Sequence, residues 1–146
     1  MTHRKSRVRR LGLIDLGLTA IAFMIAAVVE LGLRTVRLPR LAQFLGTPLA
    51  TAESSATPIE KAAFPSWARR RLAAARRALR HWPFDDTCLR VALVGGCLLR
   101  SLDPQLRIGV ARQDGEIRAH AWIEVGGRSL DPGSRDFATV GRARLI

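Results

Sequence analysis

The chain has no tyrosine and only three tryptophans and five phenylalanines in 146 residues. Its interior must therefore be filled by Leu, Ala, Val and Ile. Aromatics interleaved with basic residues, a common nucleic-acid signature, are missing, as is any recognition-helix pattern. Cysteine is almost as scarce, with Cys88 and Cys97 alone. Two cysteines exclude a disulfide-dense secreted scaffold, and free thiols suit a reducing compartment, most simply the cytoplasm. The two fall in one helical stretch, about 13 Å apart along its axis, and cannot pair while that helix is intact. No Cys-x-x-Cys or His-x-x-x-His spacing occurs. A site built from Cys88, Cys97, His81 and His120 would need thiols from opposite helix faces, so neither a metal nor a cofactor is expected.

Acidic residues are few, 12 against 24 lysines and arginines, which leaves a net charge of +12. Such a surface attracts nucleic acid, an anionic membrane face or an acidic polypeptide without choosing among them. Without the signatures above, no nucleic-acid partner is expected. A long uncharged apolar run is also lacking. The basic leader Arg4, Lys5, Arg7, Arg9, Arg10 precedes Leu16–Val29, but Asp15 and Glu30 bracket that run. It falls short of the roughly 18 residues a membrane span needs, and no small-residue cleavage site follows it. A packed helix is the expectation, with peripheral membrane contact as the alternative.

What is present is 48% hydrophobic, enough for one domain with a core. A helical lead-in over 1–58 precedes a core over 59–146. Residues 11–34 read as a long apolar helix and 36–47 as a short one, opened by Pro39 and stopped by Gly46. Residues 48–58 read as a loop. A basic helix over about Ile59–His81 carries Ala62, Ala63, Trp67, Leu72, Ala75 and Leu79 as its apolar stripe. Its arginines 69, 70, 76, 77 and 80 are expected to face water or a partner. After Pro83, the segment Asp85-Asp86-Thr87 can cap a helix that begins at Cys88 and runs toward Leu102. Gly95 and Gly96 weaken that helix but admit a close neighbour.

Asp114-Gly115 and Gly126-Gly127 are hairpin turns separating Arg107–Gln113, Glu116–Val125 and Arg128–Asp131. Two-residue loops predict a three-stranded antiparallel meander in which Gly109 faces His120, Val110 faces Ala119 and Trp122 faces Asp131. Ile108, Val110, Ala119, Ala121, Ile123 and Val125 then share one apolar face, and Gly109, Ala111, His120, Trp122 and Asp131 the other. The fold class is α+β.

A cysteine at a helix start meets unpaired N–H groups and the positive end of the dipole. These favour a thiolate and can receive an oxyanion. By itself such a cysteine is most often an inert core residue. His120, with Gly109 leaving room beside it and Asp131 diagonally across the hairpin, supplies the base and orienter of a Cys–His–Asp triad. Asp136 is an alternative third member.

The run Trp82…Thr87-Cys88-Leu89, then Ile108-Gly109-Val110, Ala119-His120-Ala121-Trp122-Ile123-Glu124-Val125 and Leu130-Asp131, resembles the transglutaminase-like leader peptidases of lasso-peptide biosynthesis. The Arg-Leu-Pro-Arg-Leu-Ala segment is similar to their helical lead-in. The resemblance implies a papain-like/transglutaminase-like cysteine protease core with N-terminal helices packed on the meander. Its nucleophile is Cys88, its general base His120 and its third member Asp131. It also implies removal of a leader from a ribosomally made precursor, whose new N-terminus an ATP-dependent lasso cyclase then closes onto an Asp or Glu side chain. With no room for a leader-recognition domain, a separate recognition protein is the expected partner. The alternatives are an acyl transferase on the same scaffold, where an amine rather than water accepts the acyl group, and a non-enzymatic assembly or membrane-associated module.

Overall fold

A computed structural model describes residues 12–50, 57–58, 64–84, 87–131 and 138–139. Four α-helices are present among them: α1 (Leu13–Thr35), α2 (Leu38–Phe44), α3 (Ser66–Arg80) and α4 (Cys88–Leu98). A 3₁₀ turn at Arg100–Leu102 follows α4, and Asp103, in the left-handed region at φ 50°, turns the chain toward the sheet. The strands are β1 (Thr57–Pro58), β2 (Gln105–Gln113), β3 (Glu116–Val125), β4 (Arg128–Ser129) and β5 (Ala138–Thr139), in sheet order β1-β4-β3-β2-β5.

β2 and β3 pair in the expected register, with Gly109 opposite His120 and Val110 opposite Ala119, while β4 pairs with β3 only over Arg128–Ser129 and ends before the expected partner Asp131. Both turns place their two central residues at positive φ: Asp114 at 51° and Gly115 at 83°, Gly126 at 58° and Gly127 at 74°. That conformation matches the twist of the flanking strands, which is why two-residue loops pin the register. The sheet is wider than the meander alone. β5 pairs with β2 at Gly109 and Val110, and β1 pairs in parallel with β4. Residues 48–58 are accordingly not all loop. Thr57–Pro58 forms β1, and Pro48–Ala50 runs beside Leu106, exchanging backbone bonds of 2.9 Å with it.

Helix α4 lies between the sheet and helices α1 and α3, and contacts all of them. Leu93 and Val94 are fully buried on it. A helix enclosed on every side needs apolar residues all round rather than on one stripe. It also needs places where neighbours can come close. A Cβ at Gly95 would stand 2.9 Å from Leu72 Cδ2, and one at Gly96 would collide with Thr47 Cγ2. The two glycines therefore act as the expected close-approach sites.

Charge pairing between helices bears on two expectations. Helix α1, at 23 residues, is long and apolar enough to cross a membrane by length and composition. Asp15 and Glu30 interrupt its uncharged run in sequence, yet both turn inward to arginines. Asp15 pairs with Arg70 at 3.3 Å, and Glu30 pairs with Arg34 at 2.9 Å and Arg90 at 2.8 Å. Conversely, the arginines of α3 do not all face water. Arg70 and Arg77 tie α3 to α1, the latter donating to Thr19 Oγ1 at 2.8 Å, and Arg71 donates to the Leu98 carbonyl at 2.8 Å. Trp67, assigned to the apolar stripe, is exposed under the Arg71 guanidinium instead. Ala62 and Ala63 lie outside the described residues.

Candidate active site

Thr87 is the residue that sets where α4 begins. It takes an extended conformation, and its hydroxyl accepts from the Arg90 N–H at 3.4 Å. This N-cap makes Cys88 the first helical residue, so its side chain stands in the first turn. Asp85 and Asp86, the other proposed caps, lie outside the described residues.

Cys88, His120 and Asp131 line one cavity of about 290 Å³, walled by α3, α4, β3 and the chain beyond β4. The ring Nε2–H of His120 donates to Asp131 Oδ2. The Ser129 hydroxyl in turn fixes Asp131, accepting from its N–H at 3.1 Å and donating to its carbonyl at 3.0 Å. With Nε2 carrying the proton, the basic nitrogen of a neutral His120 is Nδ1. Asp136 lies outside the described residues.

Cys97 is nine residues further along α4 and lines a different cavity, with α1 and α2. Burial pushes its thiol up, and the nearby Arg100 charge opposes this only in part. The two cysteines are free and serve different parts of the molecule.

Beside the imidazole stands a network that the sequence pattern did not single out. The Trp122 ring stacks on His120, with centroids 5.9 Å apart and planes 26° from parallel. Its indole N–H donates to Glu124 Oε1 at 3.1 Å, and Arg107 grips Glu124 Oε2 through Nε at 3.2 Å and Nη2 at 3.1 Å. Arg107 and Glu124 are only 5% and 2% exposed. A buried carboxylate is tolerable when its oxygens are met by donors and a counter-charge, as here. The signal was available: His120, Trp122 and Glu124 alternate along β3, and the register puts Arg107 opposite Trp122. Arg76, expected from sequence to face water or a partner, lines the Cys88 cavity.

A thiol at a helix start, in one cavity with an imidazole bonded to a carboxylate, is an arrangement suited to cysteine chemistry. The sequence profile of the transglutaminase-like superfamily matches residues 27–141, and the chain belongs to that superfamily. Cysteine peptidases and acyltransferases both occur in it. No curated protein and no solved structure matches the chain. The superfamily match begins inside α1, so it takes in helices of the N-terminal lead-in as well as the sheet.

Proposed function

We propose that this chain is a cysteine peptidase that removes the leader from a ribosomally made lasso-peptide precursor, with Cys88 as nucleophile, His120 as base and Asp131 as orienter. The observation that carries the reading is a helix-start thiol sharing its cavity with an imidazole already held by a carboxylate. The Cys88 sulfur attacks the carbonyl carbon of the scissile bond while His120 Nδ1 takes the thiol proton. The N–H groups of the first turn of α4 receive the oxyanion. His120 then gives its proton to the departing amine, which leaves as the new N-terminus of the core peptide. A water, deprotonated by the same nitrogen, releases the leader from the thioester as a carboxylate. Asp131 keeps the proton on Nε2 throughout, so that Nδ1 stays the reactive nitrogen.

The resemblance over residues 82–131 favours water over an amine as acceptor. In this reading a separate recognition protein brings the leader, and an ATP-dependent cyclase consumes the product. Two free cysteines fit a cytoplasmic setting.

The test is a mass-spectrometric assay of the full chain with precursor and recognition protein. Wild type and Cys97→Ala should release leader and core, and Cys88→Ala should release neither. Processing by Cys88→Ala would refute the reading. A product carrying an added amine would shift it to acyl transfer.

A further inference from the structure

Over Leu13 to Leu31 the outward face of α1 carries no charge and no polar side chain. From Leu13 to Leu31, every exposed residue of the helix is apolar or glycine. Met24 is 72% exposed and Leu31 65%, and Phe44 on α2 extends the patch at 72%. Between α1, α2 and the end of α4, a cavity of about 590 Å³ continues it, lined by Ile21, Met24, Val28 and Phe44 together with Arg100. The polar side chains between Leu13 and Leu31 lie on the inner side, where Asp15, Thr19 and Glu30 bond Arg70, Arg77 and Arg90. A monomer in water rarely leaves so long an apolar face open, so such a face marks an interaction surface.

The charge at its two ends identifies what covers it. No acidic residue precedes Asp15, while Arg4, Lys5, Arg7, Arg9 and Arg10 do. None occurs between Glu30 and Glu53, a stretch that holds the exposed Arg34, Arg37 and Arg40. A second copy docked on the same face would bring cationic ends against cationic ends. A bilayer surface offers an apolar layer beneath a plane of anionic headgroups, which meets the stripe and both basic ends at once. We infer that α1 is an interfacial helix that lies on an anionic phospholipid surface, its outer face among the acyl chains and its basic flanks at the headgroups. It does not span, because its inner face is tied to α3 and α4, and insertion would separate Asp15 from Arg70 and Glu30 from Arg90 in a medium where bare charge is costly.

The purified full chain, mixed with phosphatidylcholine vesicles with and without phosphatidylglycerol, tests this by co-sedimentation. Binding should require the anionic lipid and fall about tenfold or more as salt is raised to screen the flanks. Met24→Glu/Leu31→Glu should abolish it while the far-UV spectrum and melting curve stay those of a folded protein, since both side chains are exposed. In cells, alkaline carbonate should release the full chain from membranes. Equal vesicle binding by wild type and variant would overturn the inference. So would a wild-type dimer that ignores vesicles and becomes monomeric in the variant, which would assign the face to a second copy. A chain that resists carbonate would overturn it in favour of a span. Monomeric wild type that binds only a partner protein would overturn it as well.

Discussion

His120 is held on two sides, by the Asp131 carboxylate at its edge and by the Trp122 ring at its face. Removing the imidazole removes the base, and general acid–base help is worth roughly 10²–10⁴-fold. His120→Ala should therefore lose that much in kcat, and Asp131→Asn should lose less because the base survives without its orienter. An Asp131→Asn loss as large as that of His120→Ala, by precursor cleavage rates, would contradict these roles. Glu124 makes a different prediction because it is buried between Arg107 and Trp122. Glu124→Gln keeps the volume but removes the negative charge that Arg107 grips, and breaking a buried pair costs about 3–5 kcal/mol. Urea unfolding should show a loss of that order. An unchanged midpoint would mean the pair does not hold the sheet.

At the scale of elements, α4 is where packing tolerance is smallest. Thr47 comes so close to Gly96 that a side chain there must displace it. Gly96→Val should destabilise by more than the roughly 1–3 kcal/mol typical of overpacking, measured by thermal melting. Exposed Gly17 on α1, with open space around it, should tolerate Gly17→Ala with a small gain. The junction of α1 and α4 is sensitive to acid instead. The Arg90 hydrogen bond, opposed by desolvation and aided by Arg34, holds the Glu30 carboxyl below the usual carboxylate range. A depressed folded-state value means the pair stabilises the fold above the unfolded carboxyl's value, and that this contribution is lost as pH falls through the folded value. Glu30→Gln should flatten that acid limb in stability measured against pH. A wild-type and variant curve of equal slope would exclude Glu30 as its source.

For the molecule as a whole, charge and apolar surface are separated. Exposed arginines of α3, among them Arg69, Arg76 and Arg80, lie next in sequence to the segment that opens α4. If leader delivery depends on a recognition protein, full-length precursor should be processed slowly by this chain alone and faster with that protein present. Raised salt should reduce the gain, since screening acts over about 8–10 Å. Equal rates with and without the recognition protein would refute the dependence. Of the α3 arginines expected to face water or a partner, Arg70 and Arg77 are engaged with α1 instead. A charge-reversal test therefore belongs at Arg69 and Arg80, which neither tie the helices together nor line the Cys88 cavity.

Local rules were enough for much of this protein. Asp114-Gly115 and Gly126-Gly127 dictate tight hairpins, the period of two assigns faces, and together they put His120 opposite Gly109 and near Asp131 before any coordinates. Thr87 and Pro39 mark helix starts by their own chemistry. Tertiary structure alone decided what each charge meets. Asp15 and Glu30 read as interruptions of an apolar helix, and Arg70 and Arg77 as solvent charges, because a sequence shows neither side of a contact between segments distant along the chain. In the fold Asp15 meets Arg70, Glu30 meets Arg34 and Arg90, and Arg77 bonds Thr19, which leaves the outer face of α1 from Leu13 to Leu31 an apolar stripe. The Arg107–Glu124–Trp122 network was half legible for the same reason. Alternation placed its members on one face, but only the burial of that face made a carboxylate bind an arginine and an indole there.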